Sequence, residues 1–101
     1  MKFWIDDVRP APEGYFWCKS VNEAIGWIKA SDFHLSALAA PELIDIDHDA
    51  GDYAADGGDY IKLLDWLEET GRNYPIHIHS MNPVGVANMR AIIKRNGWRE
   101  V

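Results

Sequence analysis

The sequence predicts an α/β protein built on a mostly parallel sheet. From Tyr15 onward, short apolar runs of strand length alternate with amphipathic segments of helix length, and that alternation is the signature of strand–helix–strand crossovers. Three of the runs end in a burst of acid, histidine or hydroxyl residues: Lys2-Phe3-Trp4-Ile5 into Asp6-Asp7-Val8-Arg9, Leu43-Ile44-Asp45-Ile46 into Asp47-His48-Asp49, and Ile76-His77-Ile78 into His79-Ser80-Met81-Asn82. Strands of an open parallel sheet point their carboxyl ends at one edge, where ligands bind, so the three polar tips predict one shared site. With 101 residues, 48% of them hydrophobic, residues 1–101 are expected to form a single domain.

Each element has its own local warrant. The first strand is expected over Lys2 to Asp6 and the second over Tyr15 to Lys19. Between them, Val8 to Gly14 is too short for a helical crossover, and Pro10, Pro12 and Gly14 exclude a helix. The two strands are therefore either an antiparallel pair or a parallel pair joined by an extended loop. Ser20-Val21-Asn22-Glu23 has the form of a capping box, and Val21, Ala24, Ile25 and Ile28 recur on one helical face, which predicts a helix from Val21 to Ala30. A strand from Leu43 to Asp47 follows. The next helix is expected to start at Asp59 as N-cap, to turn Tyr60, Leu63, Leu64 and Leu67 inward, and to stop at Gly71. A strand from Ile76 to Ser80 leads to a third helix opened by Pro83, with Val86, Met89 and Ile93 inward and Asn96-Gly97 closing it. Trp98 to Val101 completes five strands, with helices expected on the faces of the sheet.

Composition narrows the function. A net charge of -6 argues against long nucleic acid as a partner, because affinity for that backbone comes mainly from Lys and Arg neutralising phosphates. A lone cysteine, Cys18 in the run Tyr15-Phe16-Trp17-Cys18, permits no internal disulfide and no thiolate cluster, and reads as a small buried hydrophobe. No stretch is long and apolar enough for a membrane span, and the N-terminus has no signal-peptide core, so no membrane partner and a cytoplasmic location are expected.

The polar tips define the chemistry. Asp6 and Asp7, following an apolar strand, suit a hard divalent cation with Asp47, which ends the third strand in the matching place. Asp45 shares a strand face with Asp47 but lies deeper, so it needs a partner or must stay protonated, and is read as structural. His48 beside Asp49 forms a plausible acid/base unit in a loop. His77 and His79 share a strand face; His77 is expected in the interior, hydrogen-bonded, and His79 nearer the site. A His-x-His pair alone is weak evidence for zinc. Ser80 and Asn82 precede a helix N-terminus, where free N–H groups attract anions, and Arg9 is placed either to grip a phosphate or to pair with an aspartate.

The order of these signatures resembles the receiver domain of bacterial two-component signalling, with paired acids after the first strand, an aspartate ending the third and a hydroxyl residue ending the fourth. Asp6, Asp7, Asp47 and Ser80 stand in those places. The closer resemblance is to the divergent cyclic-phosphate-processing receiver-like family, on the runs Asp6-Asp7-Val8-Arg9-Pro10, Asp47-His48-Asp49 and His79-Ser80-Met81-Asn82-Pro83-Val84-Gly85. It implies a receiver-like, flavodoxin-type sheet of order 2-1-3-4-5, without the first and last helices of an ordinary receiver, and favours the extended loop between the first two strands. It also implies processing of cyclic phosphates of nucleotides. No lysine follows the last strand, so the receiver's phosphorylation switch is expected to be absent.

The expected activity is therefore metal-assisted hydrolysis of a small cyclic phosphate by a phosphodiesterase-type enzyme. Asp6, Asp7 and Asp47 would hold Mg2+ or Mn2+; Arg9, Ser80 and Asn82 would bind the phosphorylated ligand; His48, His79, Asp49 and Asp47 would carry the chemistry. The rival expectation is a non-catalytic signalling or nucleotide-binding module with Asp47 as a phosphoacceptor.

Overall fold

The computed structural model describes residues 1–33 and 40–101. Four strands, β1 (Lys2–Ile5), β2 (Tyr15–Cys18), β3 (Leu43–Ile46) and β4 (Ile76–Ile78), and three helices, α1 (Val21–Ser31), α2 (Ile61–Glu69) and α3 (Pro83–Asn96), follow one another with a 3-10 turn at Gly51–Ala55 before α2. The sheet order is β2-β1-β3-β4, and every pairing is parallel. This is the 2-1-3-4 part of the strand order that the resemblance implies. The Val8 to Gly14 segment is thus the extended loop, ending at Gly14 with φ +84°, a left-handed value that glycine adopts without steric cost.

Five strands were expected, and four form. Trp98 to Val101 contributes one parallel bridge, Ile76 to Glu100. Its two hydrogen bonds, Ile76 N–H to Arg99 O and Val101 N–H to Ile76 O, both fall on Ile76, and with no second residue of β4 engaged there is no ladder.

Register explains the layers. Phe3 pairs with Phe16 and Ile44, and Ile5 with Cys18 and Ile46; Ile44 in turn pairs with Ile76. These side chains alternate with Lys2, Trp4, Tyr15, Trp17, Asp45 and His77, which project from the other face. The first set joins Val21, Ala24 and Ile28 of α1, Leu63, Leu64 and Leu67 of α2, and Met89, Ile92 and Ile93 of α3 in one buried cluster. All three helices therefore lie on one face of the sheet, where helices on both had been expected. Among the described residues no helix covers the second face, which is why His77, expected in the interior, is exposed. Its Nδ1 still makes the foreseen hydrogen bond, to the Val101 carbonyl at 2.7 Å.

The helix ends follow the local signals with one exception. Ser20 caps α1 through Glu23 N–H at 3.0 Å, and Glu23 Oε1 returns to Lys19 N–H at 2.7 Å. Gly97 closes α3 in the left-handed region at φ +67°. Asp59, expected to cap α2, instead accepts the N–H of Ala50 at 3.0 Å, and α2 starts one residue later than expected, after Tyr60, with no side-chain cap. The 3-10 turn has no apolar periodicity to announce it; a carboxylate nine residues away ties down its start. Cys18 is fully buried, and burial, with the charge of Glu23, pushes its thiol pKa far up, consistent with an inert packing role. No helix of the described residues is long and apolar enough to cross a membrane.

Candidate functional site

Because β1, β3 and β4 run in parallel with aligned registers, their carboxyl ends open on one rim. Asp6 follows β1, Asp47 follows β3 and His79 follows β4. Each offers a ligand atom within 4.8 Å of the others.

Asp6 is fully buried. Its Oδ1 accepts the N–H groups of Val8 and Arg9 at 3.0 and 2.9 Å, which bends the chain out of β1. Its Oδ2 faces His79 Nε2 at 2.9 Å. Burial pushes the carboxyl pKa up, but the hydrogen bonds from Arg9, His79 and Val8 outweigh it, and the net direction is down. Asp45, read as structural, has the partner it required: its Oδ1 takes His79 Nδ1 at 2.6 Å. A carboxylate only accepts, so with both ring nitrogens facing carboxylates His79 is held as imidazolium. Burial alone would lower the His79 pKa; the two carboxylates reverse that and raise it. Trp4 lies flat on the ring, with centroids 3.9 Å apart and planes within 4°, adding a cation–π contact.

His48 is positioned differently. Its Nδ1 donates to Asp49 Oδ1 at 2.9 Å, which leaves Nε2 with the free lone pair in the neutral ring. The ring rests on Gly85 in the first turn of α3, where a Cβ would lie 2.5 Å from His48 Cδ2 and Cγ. Asp47 Oδ1 accepts the His48 N–H at 2.8 Å, tying the loop to the end of β3.

Around these side chains lies an open cleft of about 420 Å³ lined by Arg9, Asp47, Asp49, Ser80, Met81, Asn82 and Pro83. Arg9 donates from one guanidinium nitrogen to the His79 carbonyl at 3.2 Å, a contact that turns its head toward the rim. Ser80 Oγ accepts Asn82 N–H at 3.1 Å, and Asn82 Oδ1 caps α3 by accepting Gly85 N–H at 3.0 Å. In the first turn of α3 Pro83 has no N–H and Asn82 takes those of Gly85 and Val86, so the Val84 N–H and the helix dipole are what this helix start offers an anion.

Asp7 is not in the group of Asp6, Asp47 and His79 whose ligand atoms all lie within 4.8 Å of one another, although its carboxyl interacts with Asp6 and Asp47. Its Oδ2 lies against the Cα of Gly51, where no Cβ would fit, and burial, with the charges of Asp6 and Asp47, raises its pKa. The donor chemistry of the cluster nevertheless fits a divalent cation, with two carboxylates and an imidazole converging at ligand distance. A second group of donors, His48, Asp49 and Asp59, also lies within 4.8 Å of one another.

Trp4 and Gly85 belong to the site although their residue types did not single them out. Trp4 was traceable in principle, since it shares strand parity with Asp45 and His77 once the register is known. Gly85 stood inside a quoted motif, but nothing local says that a histidine 37 positions earlier needs its space.

Comparisons with curated proteins and with solved structures return no significant match. The family described as cyclic-phosphate processing receiver domain matches residues 1–95, which is nearly the whole chain and spans all three polar tips. The chain therefore belongs to the cyclic-phosphate processing receiver domain family.

Proposed function

We propose that this protein is a metal-assisted phosphodiesterase that opens a small cyclic phosphate of the nucleotide type. The observation that supports this most is the convergence of Asp6, Asp47 and His79 beside a cleft lined by Arg9, Asp49, Ser80 and Asn82. A divalent ion held by Asp6 and Asp47, with Asp7 as the expected third acid, supplies charge neutralisation and polarises a phosphoryl oxygen when bound. Arg9, Ser80 and Asn82, with the Val84 N–H at the start of α3, bind the other phosphoryl oxygens and orient the ester. Water adds to phosphorus as one ring P–O bond breaks, giving a phosphomonoester and a free hydroxyl. The Nε2 of His48 takes the proton of the attacking water or returns one to the leaving oxygen, with Asp49 fixing the tautomer through Nδ1. His79, with both nitrogens engaged, holds Asp6 in place and needs a bond broken before it moves a proton.

The test is incubation with Mg2+ or Mn2+ and a panel of 2',3'-cyclic nucleotides. Ring opening by the wild type, reduced roughly 100-fold or more in His48→Ala, supports the proposal. Labelling of Asp47 by acetyl phosphate, with no ring opening under any ion, favours the signalling module instead.

A further inference from the structure

We propose that His79 is itself a metal ligand, forming with Asp6 and Asp47 a mixed nitrogen and oxygen centre oriented by Asp45, which selects a first-row transition ion over Mg2+. The inference rests on the metal-dependent part of the function proposed above and changes its ligand set, with His79 in place of Asp7. Asp6 Oδ1 is consumed by two backbone N–H groups, so Oδ2 is the oxygen it has to offer. That oxygen points at His79 Nε2, and a ligand atom of Asp47 lies within 4.8 Å of both. The ring has no freedom to turn away. Asp45, only 7% exposed, grips Nδ1 at 2.6 Å, and Trp4 covers one face of the ring. A buried carboxylate behind one imidazole nitrogen, with the other nitrogen facing carboxylates, is the arrangement by which proteins orient a ligating histidine. Asp45 is then a positioning residue. A metal ion replaces the Nε2 proton between His79 and Asp6, and that proton leaves to solvent. An imidazole donor suits Mn2+, Fe2+, Co2+ or Zn2+, whereas an all-oxygen set suits Mg2+.

The experiment uses the full chain, stripped of metal with chelator and titrated with Co2+, read by visible absorption. One Co2+ per chain is expected, and a roughly 100-fold excess of Mg2+ should leave most of it bound. Asp45→Asn should weaken Co2+ binding about 10- to 100-fold and His79→Gln at least as much, while His77→Ala, whose ring faces Val101, should leave it unchanged. Should His79→Gln fail to fold, nitrogen NMR of the wild type still decides, because Zn2+ must shift His79 Nε2 and leave Nδ1 close to its starting position. Co2+ affinity unchanged in folded His79→Gln, or a His79 ring untouched by Zn2+, overturns the inference. Cyclic-nucleotide opening by His79→Gln with Mg2+ alone would overturn it too, yet leave the phosphodiesterase reading standing. Co2+ binding lost in His79→Gln, with no turnover by the wild type under any ion, would uphold the metal centre and sink the phosphodiesterase reading.

Discussion

Gly85 sits in the first turn of α3 without a left-handed φ, so its lack of a side chain serves space alone. An alanine there is the better helix former by about 1 kcal/mol, but its methyl group would meet the His48 ring at 2.5 Å. Gly85→Ala is therefore expected to leave the melting temperature nearly unchanged while cutting cyclic-phosphate turnover by roughly 10- to 100-fold, since catalysis tolerates little misplacement. Paired melting and activity measurements check this. The Asp6, His79 and Asp45 triad predicts a pH window. Asp6 has a lowered pKa, so its contribution to stability is complete above the ordinary carboxylate value near about 4 and is lost as pH falls through the folded value. His79 has a raised pKa, so its contribution is complete below about 6.5 and is lost as pH rises through the folded value. In the presence of chelator, the melting temperature of the wild type should decline above neutrality more than that of His79→Gln. Parallel profiles for the two proteins would contradict the triad's role.

At the scale of elements, two helix starts carry equivalent caps with different duties. Ser20 caps α1 and does not line the cleft, whereas Asn82 caps α3 while lining it. Replacing either by alanine should cost about 1 kcal/mol in urea unfolding. Only Asn82→Ala should also weaken inorganic phosphate binding measured by calorimetry; equal phosphate affinity in both variants would separate α3 from the anion site. The extended loop between β1 and β2 has a related double role. With no helix between the strands, Trp4 Nε1 donates to the Arg9 carbonyl at 2.9 Å and Trp17 Nε1 to the Asp6 carbonyl at 2.8 Å, so two indoles pin the backbone that presents Asp6 and Arg9.

At the scale of the whole molecule, one buried cluster joins every strand to every helix, and the site rests on its rim. Leu64, fully buried in α2, touches none of the proposed chemistry. Leu64→Ala should nonetheless cost about 2–5 kcal/mol out of a total on the order of 5–15, and activity should fall with the folded fraction as temperature rises. A loss of activity well below the melting transition would show that the core also tunes the site. Because the helices occupy one face, the opposite face leaves Trp4, Asp45 and His79 to meet each other across β1, β3 and the end of β4.

Local sequence determined the elements and the clustering of chemistry at strand ends. Strand length, the Ser20 and Asn82 caps, the Pro83 start and the Gly97 stop are short-range signals, each set by the preferences of a few neighbouring residues. The three polar tips followed from the directionality of parallel strands alone. Register and layer assignment decided the rest, because they depend on partners far apart in the chain. Only pairing of β1, β3 and β4 sets His79 between Asp6 and Asp45, and only the packing of α3 against the loop after β3 puts Gly85 under His48. Contacts beyond immediate neighbours likewise send Asp59 to Ala50 instead of to α2, stop the last segment at a single bridge and leave one sheet face without a helix among the described residues. A side chain's partners across the fold are fixed by three-dimensional proximity, and neighbours in sequence do not report it.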